Sequence, residues 1–288
     1  MASVLRECLI YLIGTGIYTL EIKGVENSKE KSGSKSELKQ YMMYFGIDVP
    51  SYIRTDYSLY CTRYDKFKDH FTGFIERWFE NRSKLDVVIN TYKEILLNDG
   101  AYEETVFLQI VQTLEHLHGI VFDKANKYCS KSEWKAFVSW FQNNTPEPGK
   151  VGLDSDISPE KLKSLREITL NRINSLNSLT LRSRLENLFD GVKGGCLWPA
   201  IGNPNEPRQR IKEIIIEIED TRNYLTHYRQ KLKGKRAVNR DLERNTALLW
   251  GLLTYWMGKK LKLPETVLSE ITSQSTRAMF LIGKKTKL

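Results

Sequence analysis

The chain has 288 residues, 41% hydrophobic and 27% charged, with a formal net charge of +9. This balance excludes extensive disorder and suits one large globular domain or two small ones. The basic surplus favours an anionic partner, nucleic acid or a membrane surface, without choosing between them.

The most apolar stretch, CLIYLIGTGIYTL (8–20), is too short to span a bilayer and holds two glycines. Arg6 alone precedes it, which makes a poor signal peptide. Cys8, Cys61, Cys129 and Cys196 form no CxxC pair and no metal-ligand spacing. They are expected to be reduced thiols of a cytoplasmic protein.

In chain order, residues 3–13 have helical spacing, and IYTLEIKGV (17–25) alternates like a strand. A polar Ser/Gly/Lys loop (26–37) follows, and KQYMMYFGI (39–47) is placed to pair back on the first strand. The chain then turns helical. Phe67, Phe71, Phe74, Ile75 and Trp78 share one face, and KLDVVINTYKEILLND continues the pattern.

YEETVFLQIVQTLEHLHGIVFDKAN predicts a strong helix striped by Phe107, Ile110, Val111, Leu114, His118 and Val121. KSEWKAFVSWFQNN adds another helix, and TPEPGKVGLDSDISPEK (145–161) is a break. Ser158 then caps a helix with Pro159 at its first position. TLRSRLENLFDGV predicts a short helix, and GGCLWPAIGNPNEPR (194–208) a Gly/Pro loop. A long helix ends in DTRNYLTHY, another spans 239–263 and stops at Pro264, and a shorter one precedes a basic tail. The expected architecture is mainly α. A mixed segment with a β-hairpin (1–62) leads through a helical connector (63–104) to a bundle (105–288), each helix presenting one apolar stripe.

The helix ending in DTRNYLTHY raises the functional question. At 100° per residue its stripe is Ile211, Ile214, Ile215, Ile218 and Leu225. Arg222 falls within that stripe, about 20° from Ile211. A core-facing arginine is costly unless it is paired or borders a wet cleft. Asn223 and His227 share a second face with Glu219. The set suits RNA cleavage. An imidazole moves protons near neutral pH, a guanidinium holds a phosphate and the developing phosphorane, and an amide orients either. The ribose 2′-OH is an internal nucleophile, so no metal or other cofactor is needed in principle. The residues alone favour a capped helix end, with His227 stabilised by the helix dipole and Arg222 in a structural ion pair, because a short Arg-to-His spacing is common by chance.

The spacing Arg222-Asn223-x-x-x-His227 resembles the Arg-x(4–6)-His signature of HEPN domains. The wider context resembles the ApeA-like HEPN family. FLQIVQTLEHLHG (107–119) is similar to its first core helix, LRSRLENLF (181–189) to its middle element, DTRNYLTHY (220–228) to its signature, and LLWGLLTYWMGKKLKLP (248–264) to its closing helix. The likeness covers about residues 105–268, with FIERWFENR (74–82) similar to a segment that often precedes the domain. It implies a helical bundle, a homodimer with facing signatures, and a metal-independent endoribonuclease serving as an anti-phage or abortive-infection toxin. Its RNA target, tRNA among the candidates, and a sensor or antitoxin partner stay open. The family commonly carries a larger N-terminal domain, so a shortened member or a fragment is expected here.

Under this reading Arg222, Asn223 and His227 are catalytic. Glu115 and Glu219 support them. Tyr224, Tyr228, Arg229, Lys231, Lys233, Lys235, Arg236 and Arg240 contact RNA by stacking and phosphate pairing. His118 reads as a core histidine. His116 and His118 fall on nearly opposite sides of their helix, which rules out a metal pair. The alternatives are a non-catalytic HEPN module for dimerisation or RNA binding, and a structural subunit whose charges serve solubility.

Overall fold

The computed structural model describes residues 7, 8, 11, 17–22, 43–47, 67–97, 101–122, 127–144, 158–173, 176–192, 197 and 207–285. The polar loop at 26–37, residues 145–157 of the break, and 194–206 apart from Leu197 lie outside them. Two strands, β1 (Ile17–Ile22) and β2 (Met43–Ile47), pair antiparallel, with Ile17 opposite Ile47 and Ile22 opposite Met43. The described remainder is helical: α1 (Phe71–Asn81), α2 (Asp86–Leu97), α3 (Glu103–Val121), α4 (Lys131–Asn144), α5 (Pro159–Ile173), α6 (Leu181–Asp190), α7 (Pro207–His227), α8 (Arg240–Lys260) and α9 (Glu265–Lys285).

The bundle is organised around α8. Its sequence is apolar on all sides from Leu248 to Met257, and every residue from Asn245 to Gly258 is buried. This differs from the expectation of one stripe per helix. A helix apolar all round is satisfied only when neighbours surround it, and α3, α6 and α9 supply that shell. Gly251 and Gly258, two turns apart, let neighbours approach closely. A Cβ at 251 would lie 2.7 Å from Leu197 Cδ2 and would collide with Thr276 Oγ1, and one at 258 would lie 2.6 Å from the Tyr11 hydroxyl. Trp250 donates from Nε1 to Ser275 Oγ at 2.6 Å, and Trp256 to the Leu188 carbonyl at 3.0 Å. These two indole N–H groups thus have their acceptors. α9 runs to Lys285, longer than the sequence suggested, because Val267, Leu268, Ile271, Ser275 and Met279 continue one core-facing stripe past the polar SQST.

The expected connector is part of the core. Phe67, Phe74, Trp78, Leu85, Val88, Ile89 and Tyr92 belong to the same buried cluster as α3 and α8. Tyr92 stacks on Trp250 at 4.2 Å between centroids, Tyr11 donates to the Thr254 carbonyl at 2.8 Å, and Arg77 Nε donates to the Leu261 carbonyl at 2.6 Å. The aromatic spacing seen as one face of an isolated helix therefore packs into the bundle.

Between α3 and α6 the chain makes an excursion carrying α4 and α5. Its neck is closed by a bridge between Lys127 and Ser178 and by Asn177, whose side chain accepts from Cys129 N at 2.8 Å and donates to Cys129 O at 3.1 Å. Ser158 caps α5 by accepting from Lys161 N, as its place before Pro159 suggested. No residue of α4 is buried.

Candidate active site at the end of the signature helix

α7 packs on α6 and α3, so its C-terminal turns meet the middle of α3 at a three-helix seam. Ile214, Ile215 and Ile218 are in the core, but the buried stripe then turns towards Thr221 (0% exposed) and Tyr224 (9%). Arg222 is consequently left at the rim, with its side chain 27% exposed, rather than in the core-facing position that the 100° projection assigned. The projection missed this because Thr221 and Tyr224 read as polar in sequence. Thr221 satisfies its hydroxyl twice, donating to the Glu217 carbonyl at 2.6 Å and accepting from Ala237 N at 2.8 Å.

At the rim, Arg222 Nη1 donates to Asn223 Oδ1 at 3.2 Å, and Nη2 lies 3.8 Å from Glu115 Oε2 on α3. The Glu115 carbonyl in turn accepts from Arg184 Nη1 at 3.1 Å, so α6 braces the same turn of α3. A pair this open contributes about 1 kcal/mol or less. Its consequence is orientation rather than stability. With Asn223 Oδ1 engaged, the Asn223 amide nitrogen is the end left to donate outward. His227 is the last residue of α7, exposed, and makes no side-chain hydrogen bond with a described residue. Arg222 and His227 do not contact each other through hydrogen bonds within the chain; five residues of helix set them about 140° apart.

Glu219 is not directed at these groups. It accepts from Arg182 Nε at 2.9 Å on α6. Glu217 accepts from Arg244 Nη2 and Asn245 Nδ2, both at 3.1 Å, on α8. Arg182, Arg184 and Thr221 were not singled out by sequence; RSR ahead of LENLF was the available signal for the first two.

Tyr228 follows His227 with φ of 46°, a left-handed conformation that bulky side chains rarely adopt, and its ring is 71% exposed. Such strain concentrates where a side chain must be presented. Tyr224 is covered instead, with the Arg236 guanidinium 4.5 Å above its ring, so in this conformation it has no free face for a base. Arg236 is half-buried for the same reason. Arg229, Lys231, Lys233, Lys235 and Arg240 are exposed. The short 3-10 turn Gln230–Leu232 and the buried Leu232 hold this basic segment against the bundle. His118 is fully buried with Asn187 Nδ2 3.3 Å from its Nε2, whereas His116 is exposed, so the two do not form a metal pair.

A helical bundle with an arginine and a histidine at the end of one helix, beside a fixed basic segment, has the layout of a HEPN domain. The family model for Apea-like HEPN domains matches residues 108–267, more than half of the chain, and the chain belongs to that family. The match spans α3 to the start of α9 and includes the whole signature helix. It points to a ribonuclease-type or anti-phage role. No curated protein and no solved structure matches the chain significantly. Among the described residues no helix is long and apolar enough to cross a membrane.

Proposed function

We propose that the chain is a HEPN-type endoribonuclease that acts without a metal cofactor, as an anti-phage or abortive-infection toxin. One observation carries the reading: Arg222, steadied by Asn223 and Glu115 at the rim of the core, shares a helix end with the solvent-facing His227, next to an ordered row of exposed cations. His227 takes the proton from the ribose 2′-OH or delivers one to the 5′-oxygen. The 2′-oxygen attacks phosphorus and the P–O5′ bond breaks, giving a 2′,3′-cyclic phosphate and a 5′-OH. Arg222 neutralises the phosphorane, and the Asn223 amide positions the phosphate or the imidazole. The angular separation of Arg222 and His227 favours a homodimer in which a second signature faces the first across the groove.

The test is cleavage of single-stranded RNA and tRNA in excess EDTA, with end-group analysis. General acid–base catalysis is worth about 10²–10⁴-fold, and His227→Ala is expected to lose that much. Arg222→Ala should fall comparably. If both variants cut as fast as wild type, the assignment is wrong. RNA binding in a gel shift with no cleavage by wild type would instead identify a non-catalytic RNA-binding module.

A further inference from the structure

A second concentration of positive charge lies at the far end of α8. The C-terminal ends of α1, α3 and α8 meet around a cleft of about 430 Å³ lined by Arg77, Glu80, Asn81, Val121, Lys259, Lys260 and Lys262. The signature is tied through Thr221 and Ala237 to the start of α8, so this cleft is about 30 Å away along a 21-residue helix.

Four of the lining residues are cationic and one, the exposed Glu80, is acidic. Lys259 is matched by Glu265 at 2.9 Å, which leaves Arg77, Lys260 and Lys262, none of them in an ion pair with a described residue, against the single carboxylate of Glu80. Cations near helix C-termini are expected on electrostatic grounds, and Lys260 fits that role, its ammonium 3.5 Å from the Ile120 carbonyl. Two features exceed it. The Arg77 guanidinium is locked: Nε donates to Leu261 O at 2.6 Å, and its terminal nitrogens lie over Gly73, where a Cβ would stand 3.2 Å from both. Its terminal N–H groups make no hydrogen bond to a described residue. The second is Lys262. Leu263 N donates to Gly258 O and Lys262 N to Lys259 O, both at 3.0 Å, a Schellman closure of α8. The residue after the cap in that motif is usually glycine, because its backbone is left-handed. Here it is a lysine with φ of 55°. The fold accepts backbone strain and places a cation on the cleft.

We propose that this cleft is a phosphate-binding site, separate from the Arg222–His227 centre, whose ligand is either the phosphate of a small phosphorylated molecule or a backbone phosphate of bound RNA. The site does not depend on the nuclease reading. Arg77 supplies fixed donors, Lys260 and Lys262 supply charge, and Asn81 supplies a polar wall.

The experiment is calorimetric titration of the full chain, at fixed ionic strength, with inorganic pyrophosphate and with a single-stranded RNA oligonucleotide. Lys262→Gly relieves the left-handed strain while removing the charge. It should melt a few degrees above wild type yet bind at least one probe about tenfold more weakly. Arg77→Gln should weaken the same probe by a similar factor. Lys161→Ala, which removes an exposed lysine on α5, should change nothing. Loss confined to pyrophosphate identifies a small phosphorylated ligand. Loss of RNA affinity, with the slope of log K against log salt smaller by roughly one, identifies RNA. The proposal fails if neither probe loses affinity in Lys262→Gly and Arg77→Gln. His227→Ala should leave pyrophosphate binding intact, so this outcome is independent of whether RNA is cleaved.

Discussion

Thr221 is the residue on which the arrangement of the signature helix and the basic segment turns, and Thr221→Val isolates its contribution. Valine keeps the branched shape and removes only the hydroxyl. In the folded protein that hydroxyl is completely buried and is the acceptor for the N–H of Ala237, itself 3% exposed. Its loss leaves a buried donor without a partner, which costs about 1–3 kcal/mol. The Glu217 carbonyl loses only a second donor. Leu232, 8% exposed, still holds the other end of the segment. The cost is therefore expected first as local opening of residues 229–239 rather than as global unfolding.

Hydrogen exchange followed by mass spectrometry reads this directly. Since about 1.4 kcal/mol is a factor of ten, protection of the Ala237 amide should fall roughly tenfold to a hundredfold in Thr221→Val. Protection in α8 should change less. Thr221→Ser keeps the hydroxyl and loses a methyl, so it should cost about 1 kcal/mol of global stability in urea while retaining protection at Ala237. The reasoning is refuted if Thr221→Val exchanges like wild type over 229–239, or if the serine variant opens that segment as much as valine does.

Two further outcomes test the packing. Gly251→Ala places a methyl against the short, β-branched Thr276 and 2.7 Å from Leu197 Cδ2. Overpacking costs about 1–3 kcal/mol and the helix-propensity gain returns about 1, so a net loss in urea unfolding is expected, and a more stable variant would contradict the close approach of α8 and α9. Burial pushes the Cys8 thiol well above its ordinary range, whereas Cys129 is half-buried. Iodoacetamide at pH 8 followed by peptide mapping should label Cys129 in the native protein and Cys8 only after denaturation; rapid native labelling of Cys8 would show that its cover is open.

Much of the bundle was legible because its signals are periodic. Most of the stripe of α3 and of the aromatic face before and along α1 is buried where the sequence suggests, with Phe71, Ile75 and Val121 only partly covered, and Ser158-Pro159 marks the start of α5. The status of residues 67–97 was not legible. Nothing local distinguishes Tyr92 on a connector from Tyr92 stacked on Trp250, since the partner is 158 residues away in sequence. The site was legible in its residue types and spacing and less so in its geometry. A fixed angle per residue put Arg222 among the core positions, because polar Thr221 was not counted as a residue that could be buried. The bond to the Glu217 carbonyl and the long-range bond from Ala237 together make that burial acceptable.

The acidic residues around the signature bear on what the site can attract. The preceding turns of α7 carry Glu217 and Glu219, which would repel a phosphate if free. Each is matched by an arginine from another helix, Glu217 by Arg244 on α8 and Glu219 by Arg182 on α6. Glu115 is similarly occupied, by Arg222 itself. These pairs are partly exposed, so their value to stability is small, about 1 kcal/mol or less apiece. Their effect on the field is larger. With Glu217 and Glu219 paired, Arg229, Lys231, Lys233, Lys235 and Arg240 are the exposed cations that follow the signature, and Asp220 is the carboxylate beside it without an ion pair among the described residues. Because Thr221, Leu232 and the Arg236–Tyr224 contact hold that segment in place, those cations extend from an anchored backbone. A polyanion approaching the end of α7 therefore meets an ordered positive surface that begins one residue beyond Tyr228, beside the histidine proposed to act on it.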